Sequence, residues 1–334
     1  MSRLDTTGKS GVSPGPIEAP AEQVKGRSLW SDAMRRLRRD KGAMVSLAAI
    51  LLFALMALGA YAYEEIADLY NRWHPDSPVA KFEDMYDYGR RNLPPSLDSW
   101  RDILGTDWEG SSVLLKTVLG AKVSLAMGFM ANVIAVPLGL ILGAIAGYYG
   151  GFIDDVIVWL YSTLASIPGI IMLIAMKYAF KGVHFLGLDL SGIHGIYIAL
   201  GVLSWIGTCR LVRAEVMKIR ELDYVIAARA IGRHSFVILL RHVLPNVFHI
   251  AIINFSLGFV GAVGAEVTLS YLGLGVEVGT PSWGTMINGA RMDLFAGRWW
   301  ELTSAVSAMF VLVLALNVFG DRLRDALDPR LKNV

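Results

Sequence analysis

The sequence predicts an all-α polytopic membrane protein with six transmembrane helices and a charged loop between the fourth and the fifth. The chain has 334 residues, of which 54% are hydrophobic, and several of its apolar runs reach the roughly 20 residues that a helix needs to cross a bilayer. Its formal net charge is only +2, and the basic residues flank the apolar runs. These features favour an integral protein of the lipid bilayer and argue against a nucleic-acid partner.

The N-terminal segment, residues 1–42, is predicted to be disordered and basic. Residues 1–28 are rich in Ser, Gly, Pro and charge and lack apolar periodicity, so they bury too little surface to offset the entropy of ordering. The run "TGKS" at Thr7 to Ser10 resembles the end of a phosphate-binding P-loop, but Arg3 stands where that loop needs its first glycine. We therefore expect no nucleotide site in this chain.

Hydropathy divides the rest of the chain into membrane and loop segments. Six spans are predicted at about 43–63, 117–147, 152–176, 193–212, 247–272 and 299–320. The first span is an anchor helix and residues 64–116 form an extracytoplasmic loop. Residues 117–320 form the transmembrane core, which includes the charged loop at 221–246, and residues 321–334 form a tail. Trp299 and Trp300 are expected to mark the outer membrane interface.

The distribution of charge predicts the orientation of these spans. Basic residues precede the first span in "RRLRRDK", Arg35 to Lys41, and fill the loop after the fourth span. Cytoplasmic loops carry an excess of Lys and Arg, whereas the loop after the first span is rich in acids. Both termini are therefore expected in the cytoplasm, with the chain in the inner or plasma membrane.

Glycines and the single cysteine give two further expectations. Gly139, Gly143 and Gly147 recur at four-residue spacing, which places them on one face of the second span and predicts close packing against a neighbouring helix. Cys209 is the one cysteine, so an internal disulfide is excluded. The histidines show no HEXXH or similar spacing and no nucleophile motif stands out, so we expect neither a metal site nor catalytic residues.

The loop "DYVIAARAIGRHSFVILLRHVLPN", residues 223–246, is predicted to be two helices around Gly232. Good helix formers run from Asp223 to Ile231, and Gly232 offers the left-handed conformation that ends a helix. Ser235 is expected to cap a second, amphipathic helix that ends at Pro245. Its predicted apolar face consists of Phe236, Leu239, Leu240, Val243 and Leu244. The small face at Ala227 and Ala228 is expected to be free for a protein partner.

At these residues the sequence resembles a known family, the permease subunits of ATP-binding-cassette importers. Their cytoplasmic "EAA" loop has the form EAA, three residues, Gly and a later Leu-Pro, and here it reads Ile226-Ala227-Ala228, Gly232 and Leu244-Pro245. Ile226 replaces the glutamate. More narrowly, the chain is similar to the C-type permease of dipeptide and oligopeptide, and nickel, importers. The matching runs are "LGTDWEGSSVL", "GAKVSL", "GYYGGFIDD", "AEVTLSYLGLGV", "TPSWGTM" and "GDRLRDALDPRL".

The resemblance implies a transporter subunit and not an enzyme. It further implies a second related permease, two ATP-binding subunits that hold ATP and magnesium, and an extracytoplasmic substrate-binding protein. No cofactor is expected in this chain. The residues expected to couple the chain to the ATP-binding subunits are Asp223, Tyr224, Ala227, Ala228, Arg229 and Gly232.

Two matters stay open at this stage. Relatives of the same fold import nickel or oligosaccharides, and a channel or scaffold that needs no ATPase is a further alternative to a peptide importer. Glu266 and Asn132 lie inside predicted spans, as do Asn254 and Asn317. Because a polar side chain is costly in lipid, each is expected to face a transport pathway or to make a structural hydrogen bond.

Overall fold

The computed structural model describes residues 29–75, 87–185, 187–276 and 280–327, and the predicted disorder of residues 1–28 lies outside them. The helices in these ranges are α1 (Leu29–Arg39), α2 (Lys41–Trp73), α3 (Val113–Tyr149), α4 (Gly151–Ala165), α5 (Gly169–Ala179), α6 (Ile193–Ile219), α7 (Asp223–Ala230), α8 (Ser235–Ile238), α9 (Leu244–Tyr271), α10 (Trp283–Phe295) and α11 (Trp300–Leu327). Two 3₁₀ turns, Tyr88–Arg90 and Trp100–Asp102, precede α3, and a hairpin of β1 (His184–Phe185) and β2 (Leu188–Asp189) precedes α6.

The predicted all-α membrane fold is confirmed in the described part of the chain. Five helices are long and apolar enough to cross a bilayer: α2, α3, α6, α11 and the continuous helix from Ser235 to Tyr271. The third predicted span, at 152–176, is wrong as a single helix, because α4 and α5 meet at an angle of 91°. The break contains Ser166, Ile167 and Pro168. Proline has no N–H to donate and disfavours helical geometry in the residue before it, which favours a break in the helix at this point.

Three other elements differ from the predicted segments. The helix of the first span continues to Trp73, into the region predicted as an outer loop. Residues 29–39, predicted within a disordered basic segment, form α1. The connection between the fifth and sixth spans contains α10, which begins at the Ser282 cap, where the Ser282 hydroxyl accepts from the Thr285 N–H at 3.1 Å. Short amphiphilic helices of this kind fall below the length that a hydropathy window detects.

The predicted glycine face of the second span is confirmed as a helix contact. A Cβ added at Gly139 would lie 2.6 Å from Thr208 Cβ, one at Gly143 would lie 2.6 Å from the Cys209 carbonyl oxygen, and one at Gly147 would lie 2.7 Å from the Arg213 carbonyl oxygen. Every partner belongs to α6. The glycines therefore let the backbones of α3 and α6 approach more closely than side chains would allow.

The two ends of the bundle are fixed by polar contacts between helix termini. At one end, here called the α7 end, Arg220 donates to the Gly147 carbonyl at 3.0 Å, and Arg322 lies 3.3 Å from Asp40. At the other, the α10 end, Trp300 donates its indole N–H to the Thr106 carbonyl at 2.9 Å. Trp300 thus packs on the protein, while Trp299 is exposed.

The connection before α3 carries Ser111 and Ser112, and both serines are buried. The Ser111 N–H donates to Asp107 Oδ1 at 2.8 Å, and the Ser112 hydroxyl donates to the Arg101 carbonyl at 2.6 Å. Lys116 forms an ion pair with the same Asp107. The two serines therefore fasten the outer connection to the start of α3.

Candidate functional site

The loop at the α7 end contains two helices joined by a turn, as predicted. α6 ends at Ile219, and Leu222 is extended (φ −77°, ψ 145°), which lets α7 begin in a new direction at Asp223. The Asp223 carboxylate lies in the first turn, where a negative charge is favourable to the helix dipole. α7 ends at Ala230 and α8 begins at Ser235, so the prediction of separate helices on either side of Gly232 is confirmed.

Gly232 makes the turn between the two helices. Its φ is +80°, a left-handed conformation that L residues with side chains rarely adopt. The Gly232 N–H donates to the Arg229 carbonyl at 3.0 Å, and the Arg233 N–H donates to the Ala228 carbonyl at 3.3 Å. These bonds satisfy carbonyls that the end of α7 would otherwise leave unpaired.

α7 is held to the bundle mainly through Val225. This side chain is fully buried in a hydrophobic cluster with residues from the ends of α6 and α9, including Val216 and Val247. Ala228, one turn later, is partly buried against the same cluster. The predicted free face at Ala227 and Ala228 is therefore half wrong. Ala227 is exposed, but Ala228 follows Val225 by three positions and so lies on the side of the helix that packs on the cluster.

The outward side of α7 is apolar as well as small. Ile226, at the position of the family glutamate, has 47% of its surface exposed, and Ile231, at the end of the helix, has 82% exposed. Leu222 and Tyr224 are exposed beside them. Leu222 and Ile231 were not predicted as site residues; the signal that indicates them is a pair of apolar residues that flank this short helix.

Two exposed side chains of α7 also contact the rest of the chain. The Tyr224 hydroxyl accepts a hydrogen bond from Asn246 Nδ2 at 3.0 Å. The Arg229 guanidinium carbon lies 5.8 Å from the centre of the Tyr148 ring, within the range of a cation–π contact. Both contacts tie α7 to membrane-spanning helices, Tyr224 to α9 and Arg229 to α3.

The second half of the loop departs from the prediction in three respects. His234, and not Ser235, caps α8, since His234 Nδ1 accepts from the Phe236 N–H at 3.3 Å. Phe236 and Leu240 are exposed, and the buried residues here are Ile238, Leu239 and Val243.

The predicted boundary at Pro245 is absent, because α8 continues through a π-helical segment (Leu239–Val243) into α9. The π-segment shifts the helix register, which moves the buried stripe by one position. Pro245 lies where the π-helical segment passes into α9, and its missing N–H removes one hydrogen bond from the continuous helix at this junction.

Charged contacts brace the helices beside this loop. Arg213 of α6 donates from Nε to Asp154 Oδ1 at 2.5 Å and from Nη2 to Oδ2 at 2.6 Å, a bidentate pair with α4. Together with the contact of Arg220 to Gly147, it connects the end of α6 to α3 and α4. A displacement of α7 would therefore be transmitted to several spans through the end of α6.

The intramembrane polar residues are engaged within the bundle. Glu266 is fully buried in α9, where Ser270 donates to its Oε1 at 2.8 Å and the Ser282 hydroxyl that caps α10 also interacts with the carboxyl. Asn132 is buried and donates to the Gly128 carbonyl at 2.7 Å, and it fills the space beside Gly258 of α9. Asn254 donates to the Ile250 carbonyl at 2.9 Å. These contacts join α9 to α10 and α3 to α9.

One interhelical contact was not predicted. Lys177 of α5 donates to the carbonyl oxygens of Leu274 and Gly275, both at 2.6 Å. These carbonyls follow the C-terminal end of α9, where unpaired carbonyls favour a cation. The bend between α4 and α5 brings Lys177 to this place, so a straight third span could not have indicated it. Among the described residues, no group of three or more His, Cys, Asp or Glu could hold a metal ion.

Two family profiles and a solved structure match parts of this chain. A family profile described as "Binding-protein-dependent transport system inner membrane component" matches residues 139–333, and one described as "N-terminal TM domain of oligopeptide transport permease C" matches residues 28–95. A solved structure described as inward facing conformations of the MetNI methionine ABC transporter has a TM-score of 0.48 and 18% identity, covering 65% of this chain and 96% of that chain.

Curated relatives extend over most of the chain. The dipeptide transport system permease protein DppC of Bacillus subtilis (strain 168) is 35% identical over 315 residues, with 93% of this chain and 90% of the relative covered. The oligopeptide transport system permease protein OppC of the same organism is 33% identical (93% and 94% covered), and the glutathione transport system permease protein GsiD of Escherichia coli O157:H7 is 34% identical (95% and 95% covered). The resemblance to C-type peptide permeases is thereby confirmed, and the chain belongs to the family of binding-protein-dependent transport system inner membrane components.

Proposed function

We propose that this chain is a permease subunit of an ATP-binding-cassette importer for peptides and that α7 is its contact with an ATP-binding subunit. The family and the named functions of the relatives support the transport role. The observation that carries the coupling role is the outward surface of α7, formed by Leu222, Tyr224, Ile226, Ala227 and Ile231. We call these five residues the α7 surface.

The chemistry of the α7 surface favours a protein partner. Exposed apolar side chains grouped on one short element and surrounded by charged residues are typical of protein interfaces. Asp223, Arg229 and Arg233 provide the polar rim, and all three are exposed. Tyr224 adds a rigid aromatic side chain that is frequent at the energetic centre of interfaces.

An external partner is required by the energetics of alternating access. Moving a two-state equilibrium from about 1:99 to about 99:1 takes roughly 5.5 kcal/mol of differential binding. The sequence has no P-loop that would let this chain supply that energy by binding ATP itself. In our proposal two ATP-binding subunits supply it through α7, and Val225, Arg220 and Arg213 pass the displacement to the spans.

The remaining partners follow from the family. A second related permease would complete the pathway, and an extracytoplasmic binding protein would deliver the cargo. The α7 end would face the cytoplasm, together with both termini, because Arg35 to Lys41 and the basic residues of α6 and α7 lie there. Glu266 and Asn132 would act in this assembly as structural links between helices.

Peptides are the cargo that the relatives favour, since those relatives are named for dipeptide, oligopeptide and glutathione transport. Competition for uptake by dipeptides, glutathione, nickel salts and an oligosaccharide, in cells that contain the complete transporter, tests this point. Peptide competition alone is the expected result. If nickel or the sugar reduces uptake and peptides do not, the peptide cargo is contradicted. The proposal that α7 contacts an ATP-binding subunit would not be affected by that result.

The experiment for the α7 surface is Ala227→Asp. This change places an unpaired carboxylate in the proposed contact, whereas in the isolated chain the same group faces water, so the subunit should fold and insert normally. Burying one unpaired charge costs an interface about 2–5 kcal/mol. We expect loss of ATPase co-purification and of uptake.

Ala296→Asp at the exposed end of α10 is the matched control, and ATPase retention should be unchanged in that variant. Full retention and normal uptake in the Ala227→Asp protein would contradict the proposal. Ala228→Asp is a less specific test, because Ala228 is partly buried and its substitution would also strain the hydrophobic cluster.

A further inference from the structure

α1 is fixed at the point where the first membrane-spanning helix begins. Asp40 is the one residue between α1 and α2, and its carboxylate caps α2 by accepting from the Ala43 N–H at 3.1 Å. The Asp40 N–H donates to the carbonyls of Arg36 and Leu37, both at 3.2 Å. α1 therefore cannot swing away from α2, whose Leu51 and Leu55 are exposed as lipid-facing residues would be. The helix must lie near the boundary of the bilayer.

The exposed side of α1 is strongly basic and its inner side is apolar. Leu37 is buried where α1 packs on α11, whereas Met34 is exposed beside that contact. Arg35, Arg38 and Arg39 stand at positions i, i+3 and i+4, so they share one face of the helix, and all three are exposed.

Acidic groups near α1 do not neutralise this face. Asp40 is engaged with Arg322 at 3.3 Å and with the cap of α2. Asp40, Asp321 and Asp325 together exceed Arg322 and Arg324 by one negative charge, and Asp32 adds one more acid in α1 itself. These two excess charges are fewer than the three of the arginine face. Arg36 and Lys41 add two further positive charges next to the arginine face. A partner of opposite charge is therefore favoured at this end of the bundle.

We propose that Arg35, Arg38 and Arg39 bind the headgroup phosphates of anionic phospholipids, so that α1 is an interfacial helix that anchors the first span to the membrane surface. The bilayer is the occupant that the position of α1 selects, because the helix is attached directly to a lipid-facing span. The guanidinium group suits phosphate, to which it can donate two parallel hydrogen bonds. Amphipathic helices with a basic face are bound at membrane surfaces in this way.

The test is lipid retention by the full-length protein. The wild type and the triple variant Arg35→Gln/Arg38→Gln/Arg39→Gln are purified, incubated with phosphatidylglycerol or phosphatidylcholine, and examined by native mass spectrometry. Each arginine near an anionic surface contributes a factor of about five to binding. The triple variant should therefore bind phosphatidylglycerol on the order of 100-fold more weakly, with phosphatidylcholine binding unchanged.

The control is Arg72→Gln/Arg91→Gln/Lys181→Gln, which removes the same total charge at three exposed residues away from α1. It should retain phosphatidylglycerol as the wild type does. Equal losses in the two triple variants would indicate an effect of net charge and would overturn the proposal, as would undiminished retention in the α1 variant.

A second measurement distinguishes lipid from free phosphate. Hydrogen exchange of residues 29–40 is followed with the protein in nanodiscs of phosphatidylcholine, with or without phosphatidylglycerol. We expect at least a 10-fold slowing with phosphatidylglycerol that is lost in the α1 variant. Inorganic phosphate at matched ionic strength should not produce it. Slowing by phosphate in phosphatidylcholine discs, or none with phosphatidylglycerol, would contradict a lipid site.

Discussion

Tyr224 in α7 and Asn246 in α9 are joined by a hydrogen bond of 3.0 Å from the Asn246 amide to the Tyr224 hydroxyl. This bond connects the two halves of the exposed loop across Gly232, independently of the covalent turn. Asn246 also donates to the His242 carbonyl at 2.7 Å. α7, the proposed contact helix, is therefore bonded to α9, a helix that it would have to move.

The first prediction concerns this bond. Tyr224→Phe keeps the ring in the α7 surface and removes only the hydroxyl, so the loss in stability should be at most about 1 kcal/mol, as for an exposed neutral hydrogen bond. Hydrogen exchange in α7 should become several-fold faster while the ATP-binding subunit still co-purifies. Unchanged exchange would mean that the bond does not restrain α7.

A second prediction tests how α7 is anchored. Val225→Ala removes two methyl groups from a fully buried site, at a cost of about 1–3 kcal/mol, and should lower the thermal stability of the purified subunit. Ile226→Ala is the matched control, since the neighbouring side chain is half exposed. It should leave stability unchanged and weaken only ATPase retention. The opposite pattern would place Ile226, and not Val225, in the core.

A third prediction concerns the close contact of α3 with α6. Gly143→Ala would put a Cβ 2.6 Å from the Cys209 carbonyl oxygen, and forcing the two helices apart should cost about 1–3 kcal/mol. Gly207→Ala is the matched control, because a Cβ there meets nothing within 4 Å. Thermal unfolding in detergent should separate the two variants by several degrees. Equal transition temperatures would contradict the predicted packing.

A fourth prediction concerns the ion pair between α4 and α6. Arg213→Gln should cost about 1.5–3 kcal/mol, the usual range for hydrogen bonds to a charged group, because the Asp154 side chain is only 15% exposed and the Arg213 side chain 25%. Lys218→Gln breaks the pair with Glu215, in which the side chains are 69% and 38% exposed. Such a surface pair contributes about 0–1 kcal/mol. Comparable stability losses in the two variants would show that α4 is not held by Arg213.

Hydropathy and glycine spacing predicted the membrane fold because both depend on local composition. The face made by Gly139, Gly143 and Gly147 follows from helical periodicity alone, and the turn at Gly232 follows from backbone sterics. The bend at Pro168 was missed because hydropathy is summed over a window of residues, and this sum does not depend on the direction in which the helix runs. The amphipathic pattern of α1 spans only 11 residues. Because these residues follow a longer polar tail, the composition of the whole segment indicated disorder and α1 was missed.

The candidate site was predicted less completely than the fold. Its location and two-helix form follow from "DYVIAARAIG". Which of Ala227 and Ala228 is exposed, however, depends on where Val225 inserts into the bundle. That insertion is a tertiary contact with residues distant in the sequence, such as Val216 and Val247. The contact of Lys177 with Leu274 and Gly275 likewise depends on the angle of the bend at Pro168, which the local sequence does not specify.

The central claim, that α7 contacts an ATP-binding subunit, is tested most directly by cross-linking. Ala227→Cys is introduced with Cys209→Ser, so that the probe is the one thiol of this chain. Native membranes are treated with a benzophenone-bearing maleimide, which alkylates this thiol and, on illumination, inserts into a C–H bond of the neighbouring protein. We predict an adduct between this chain and the ATP-binding subunit, and none with Leu97→Cys, which is 91% exposed in the connection before α3 at the α10 end. Absence of the adduct at Ala227→Cys in an assembled transporter that still takes up peptide would contradict the account.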